Sequence, residues 1–182
     1  MYMIDLPVIR EGLHIGSIDL ETRTVEVNQK HPIYFQCTSR VDCCSTMQIP
    51  ASEFDIARIM GHGYALDQII AEASPIILNP KSSVGRQQKA YILKKKPYDG
   101  TCTFLENNLC AIHTFKPFAC RIYPFALEFH DDIHIDLIIH QDQLCQSISA
   151  VNPAESNNKK LLEDIRDMLL EELEFRGYGM SS

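Results

Sequence analysis

The chain is 182 residues long, carries a net charge of −7, and is 45% hydrophobic and 23% charged. This balance excludes long disorder and collagen-like repeats, argues against whole-surface attraction to nucleic acid, and fits one core, so residues 1–182 are expected to form a single domain. No apolar run approaches the roughly 18–20 residues that cross a bilayer. Met1–Pro7 contains Asp5 and no basic residue, unlike a secretory leader, so a cytoplasmic location with no membrane partner is expected.

Short strands open the chain. Leu13, Ile15, Ile18 and Leu20 are spaced as strand residues, and Thr22–Asn28 alternates at period 2, with Gly12 and Gly16 read as punctuation. Ser52, followed three residues later by Asp55, starts a helix in which Phe54, Ile56, Ile59 and Met60 share a buried face. Gly61-His62-Gly63 stops it. A second helix is predicted from Tyr64 to Ala73, ending before Pro75.

Strands are predicted at Lys89–Lys94 and Thr101–Leu105 around a Pro97–Gly100 turn, followed by a tight turn at Asn107-Asn108. Phe125–Phe129 and Ile133–Ile139 make a hairpin turning at Asp131-Asp132. Its Ile133, Ile135, Leu137 and Ile139 lie on one face, and His134, Asp136 and His140 on the other. A C-terminal helix over residues 154–176 carries Leu161, Leu162, Ile165, Met168, Leu169 and Leu173 at helical spacing and ends at Gly177. With seven acids against three bases between Glu155 and Glu174, one face of that helix belongs in water and the other across the sheet.

Between Ala73 and Tyr98 there is no acid, while Lys81, Arg86, Lys89, Lys94, Lys95 and Lys96 are positive. The plain reading is a solvated edge strand whose lysines discourage pairing. The other is a docking surface, over residues 81–96, for an acidic protein partner or a phosphate.

Seven cysteines fall between Cys37 and Cys145. In a reducing compartment, an odd number clustered this way points to metal ligation before disulfides. The first group reads Cys37-Thr-Ser-Arg40-Val-Asp-Cys43-Cys44. The second runs Cys102, Cys110, His113, Lys116-Pro117, Cys120-Arg121-Ile-Tyr123-Pro124, with Cys145 downstream. Soft thiolates select zinc, copper(I) or iron–sulfur centres over magnesium and calcium. Structural zinc favours paired Cys-x2-Cys knuckles, and the nearest spacing here is Cys110-x2-His113, whereas adjacent Cys43-Cys44 suit a polynuclear cluster. The balance tips to iron–sulfur with zinc as the alternative. A nucleophilic Cys–His pair using His113, His130, His134 or His140 is a further possibility that the spacing does not single out, and no phosphate-loop motif is present.

Taken jointly, these motifs resemble the YkgJ-like cysteine-cluster (CxxCxxCC) family, a zinc- or iron-chelating domain, over roughly residues 33–148. Arg40 stands in the slot of the family's second cysteine, His113 where Tyr is frequent, and Lys116 for the Arg before Pro. The resemblance implies Cys37, Cys43, Cys44, Cys102, Cys110, Cys120 and Cys145 as metal ligands. Either His113 supplies the missing ligand, or Arg40 is a cation beside an anionic cluster, the reading preferred here. Arg121 and Tyr123 would support the ligands, with a substrate role for Arg121 as the alternative.

The implied function is a metal-binding module with a structural, sensory or electron-transfer role. The flagellin lysine N-methylases carry a similar domain, so a small S-adenosylmethionine-dependent enzyme is the second class, although the chain shows no recognisable loop for that cofactor. The fold expected is α+β, with short antiparallel strands and hairpins, irregular cysteine-bearing loops and a few helices.

Overall fold

A computed structural model describes residues 12–37, 44–45, 47–139 and 147–178. Arg40, Cys43, His140 and Cys145 lie outside them. The fold is mixed α+β, as expected, and among the described residues every strand pairing is antiparallel.

In chain order, β1 (Leu13–Asp19), β2 (Thr24–Val27) and β3 (Ile33–Phe35) precede β4 (Pro50–Ser52), α1 (Glu53–Gly61) and α2 (Leu66–Ile69). Then come β5 (Ile76–Ile77), β6 (Lys89–Ile92), β7 (Leu105–Glu106) and β8 (Leu109–Cys110). A 3-10 turn at His113–Phe115 leads into α3 (Phe118–Ile122). The chain closes with β9 (Phe125–Phe129), β10 (His134–Ile139), β11 (Ile148–Ala150) and α4 (Asn158–Phe175).

Two apolar cores result. The first lies under the sheet β2-β1-β10-β9, where Ile15, Ile18, Ile135, Leu137 and Ile139 meet Leu162, Ile165 and Leu169 of α4. The alternation read from Ile133 to Ile139 is what turns these side chains inward. The second core joins the sheet β4-β6-β5 to α1 and the β7–β8 hairpin through Ile49, Ala51, Ile56, Ile59, Leu93, Phe104 and Ile112. Asn157 and Asn158 tie α4 to β3: Asn157 bonds the Phe35 backbone in both directions, at 2.9 and 2.7 Å, and Asn158 reaches Ile33 and His31. At its far end Arg176 donates to the carbonyls of Arg86 and Gln87, so the same helix spans both halves.

Several expectations change. Gly16 sits inside β1, where a Cβ would collide with the Glu26 carbonyl and lie 2.6 Å from Leu162 Cδ1; it permits strand and helix to approach and is not punctuation. Met60 is exposed, being rotated about 100° from Ile59 off the buried face. The Tyr64–Ala73 helix shrinks to α2, since Ile70 turns extended to bridge Leu93 and Ala71 donates to the Ile92 carbonyl. The Thr101–Leu105 strand breaks: Cys102 bridges Lys95 alone, and regular pairing resumes only at β7. The C-terminal helix starts at Asn158, after a 3-10 turn at Pro153–Glu155, because the two asparagines are drawn to β3.

The basic segment does not form an edge. Its strand β6 is the middle of three. Lys81 pairs with Glu128 at 3.4 Å, Lys94 and Lys96 bond the carbonyls of Asp67 and Leu105, and Arg86 stacks on Tyr178. With four of the six cations engaged inside the chain, nothing supports an acidic protein partner there. Among the described residues no helix is long and apolar enough to cross a membrane.

Candidate metal centre

Five of the seven cysteines are described, and four of them converge on the second core. Cys44 and Cys102 are buried within it, joined by a 2.8 Å bond from the Cys102 N–H to the Cys44 carbonyl. Cys110 ends β8 opposite Leu105, Cys120 lies in α3, and both pack half-buried against the same core. Cys110 and Cys120 thus sit in short elements, while Cys44 and Cys102 lie outside the named strands and helices, Cys102 at a single bridge to Lys95. Cys37 is exposed just past β3, with its Sγ 3.9 Å from Lys116 Nζ. Beside it, Gln36 donates to the carbonyl of Ser147, two residues beyond Cys145.

A buried carboxylate positions the segment that carries Cys120. Asp55, 1% exposed, closes the capping box of α1: its N–H donates to Ser52 Oγ and its Oδ2 accepts from the Ser52 N–H. Its Oδ1 accepts from Arg58 at 2.7 Å and from the Phe118 N–H, at the start of α3, at 3.0 Å. Arg58 in turn donates to the carbonyls of Phe115 and Lys116, and Arg121 donates to Lys116 as well. Residues 115–118 are thus gripped from α1. Burial pushes the Asp55 carboxyl above the usual range, against the pull of Arg58 and the N–H donors. Burial, followed by the nearby Arg58 charge, disfavours the Arg121 cation.

Asp55 and Arg58 are the positioning residues that sequence reasoning missed. The Ser52-x-x-Asp55 spacing announced the cap, and the Arg three residues after Asp55 was the available sign of an ion pair, but neither revealed Phe118. Arg121, expected to support the ligands, donates Nε to the Lys116 carbonyl.

His113 is exposed in the 3-10 turn. His130 and His134 bond Asp136 and Asp131 at 2.8 and 2.6 Å on the hairpin, an arrangement that gives no support to either as a thiol-activating base.

Among the described residues, no three His, Cys, Asp or Glu side chains are placed to hold a metal ion. The donor chemistry nevertheless fits a soft metal. Thiols gather on an apolar core, and Lys116 stands beside Cys37, where it would offset thiolate charge.

A cysteine-rich segment arranged in this way defines a class of metal-chelating domain. The chain belongs to the CxxCxxCC family, described as a putative zinc- or iron-chelating domain, with the match spanning residues 36–146 and all seven cysteines. Neither a curated protein nor a solved structure matches it.

Proposed function

We propose that the chain, as a single domain in the cytoplasm, holds an iron–sulfur cluster, with zinc as the alternative, through thiolates drawn from Cys37, Cys43, Cys44, Cys102, Cys110, Cys120 and Cys145. Its role is structural, sensory or electron-transferring. The observation that carries this reading is the gathering of Cys44, Cys102, Cys110 and Cys120 on one core, with Cys37 beside Lys116. Family membership supports zinc or iron chelation. Iron–sulfur is favoured by the adjacent Cys43-Cys44 pair and by the lack of two Cys-x2-Cys knuckles.

Anaerobic purification with elemental analysis and a visible spectrum tests it. A brown protein with iron and acid-labile sulfide is expected; stoichiometric zinc in a colourless protein selects the alternative, and absence of metal overturns both. Changing Cys43, Cys110 or Cys120 to Ser should cost metal and soluble protein together, whereas Arg40→Cys should be tolerated. Full metal content in Cys120→Ser removes that residue from the ligand set.

A further inference from the structure

Beside the Cys120 helix a groove opens between β3, α3 and α4, enclosing about 450 Å³. That lies within the roughly 300–1,000 Å³ of small-molecule pockets. Its walls are apolar, built from Phe35, Ile122, Leu161, Ile165 and Met168. The Phe35 wall is fixed in place: its ring meets Phe125 edge-on at 5.0 Å, and its backbone is held by Asn157.

Three charges line the groove. Lys160 and Asp164 neutralise each other through bonds of 3.0 and 2.9 Å, which leaves Arg121 as the groove's remaining charge; Asp55, Glu171 and Glu172 line a neighbouring cleft with it, but among the described residues none forms an ion pair with it. Arg121 uses Nε on the Lys116 carbonyl, and among the described residues no partner engages its two terminal nitrogens. A guanidinium in that state offers a fork of N–H donors matched to a carboxylate.

We propose that this groove binds a small organic acid, with one carboxylate on Arg121 and an apolar body laid along α4. The ligand then sits next to the segment that bears Cys37 and Cys120, whichever metal those thiols hold. Charge complementarity selects the acid over a neutral molecule, and the apolar walls select it over a bare inorganic anion.

The test uses the purified full-length protein, with its metal, and 4-phenylbutyrate as probe, followed by calorimetry and by the 13C-methyl NMR signal of Met168. The acid should bind and shift Met168, while 4-phenyl-1-butanol binds at least about tenfold more weakly, as expected for loss of a charge-assisted bond. Arg121→Lys keeps the charge but loses the fork and should weaken binding by about tenfold. Leu161→Trp fills the groove without touching Arg121 and should abolish it. Equal binding of acid and alcohol, undiminished binding by Leu161→Trp, or no binding of the acid at millimolar concentration overturns the proposal.

Discussion

Asp55 receives hydrogen bonds from Ser52, Arg58 and Phe118, which belong to the start of α1, its second turn and the start of α3. Replacing it with Ala leaves the Ser52 and Phe118 amides and the Arg58 guanidinium without this acceptor, in a place water barely reaches. Asp55→Ala is therefore expected to cost about 3 kcal/mol, with Asp55→Asn milder, as read from urea unfolding midpoints. A loss below about 1 kcal/mol would show that water replaces the carboxylate. Only part of this was legible in the sequence. A cap signal three residues long is local and can be read from spacing, but the amide of Phe118 is 63 residues away, and no periodicity reports a contact at that range.

The strands β1 and β2 and the β9–β10 hairpin were the legible elements, because alternation at period 2 is imposed by burial on one face. Short segments with competing partners were not. Ile70 satisfies a helical pattern as well as a strand bridge, and the sheet took it. Gly16 illustrates the converse, a residue read as strand punctuation that lies inside β1, tight against β2 and α4. Gly16→Ala should destabilise by about 1–3 kcal/mol in chemical denaturation, the range for overpacking, while Gly61→Ala, with open space around it, should not. At the hairpin turn, the ring N–H bond that His134 donates to Asp131 raises the His134 pKa above 6.5, while that bond and those from the Ile133 and His134 amides hold Asp131 down at about 2. The histidine's contribution to stability is present below pH 6.5 and lost as pH rises through its elevated value. That of Asp131 is present above 3.8 and lost as pH falls toward 2. An NMR titration of the His134 ring should give a midpoint above 6.5 that returns toward it in Asp131→Asn; an unchanged midpoint in the variant would rule the pair out in solution.

For the whole molecule, the division into two cores predicts unequal dependence on metal. Cys44, Cys102, Cys110 and Cys120 border the second core, whereas the sheet of the first packs mainly on α4, with Phe118 and Ile122 of α3 reaching it from the Cys120 segment. Chelation should therefore speed hydrogen exchange at Ile49, Ala51, Leu93 and Phe104 while β1 and β10 amides stay protected; uniform loss of protection would mean that the halves unfold as one. The cysteine positions could be read directly as a metal-binding pattern, but their convergence depends on loops and single bridges that carry no periodic signal. The pairing of β1 with β10 has a separate kinetic consequence. Ser17 and Asp136, bonded at 2.7 Å, are 119 residues apart, so the central strands of the first sheet cannot meet until nearly all the intervening chain has been synthesised and brought round. Any link that fastens Cys37 near Cys120 early shortens that excursion by about two thirds and lowers its closure cost by about 1 kcal/mol. A metal held between Cys37 and Cys120 would in that case act as a pin around which the two ends of the chain are folded together.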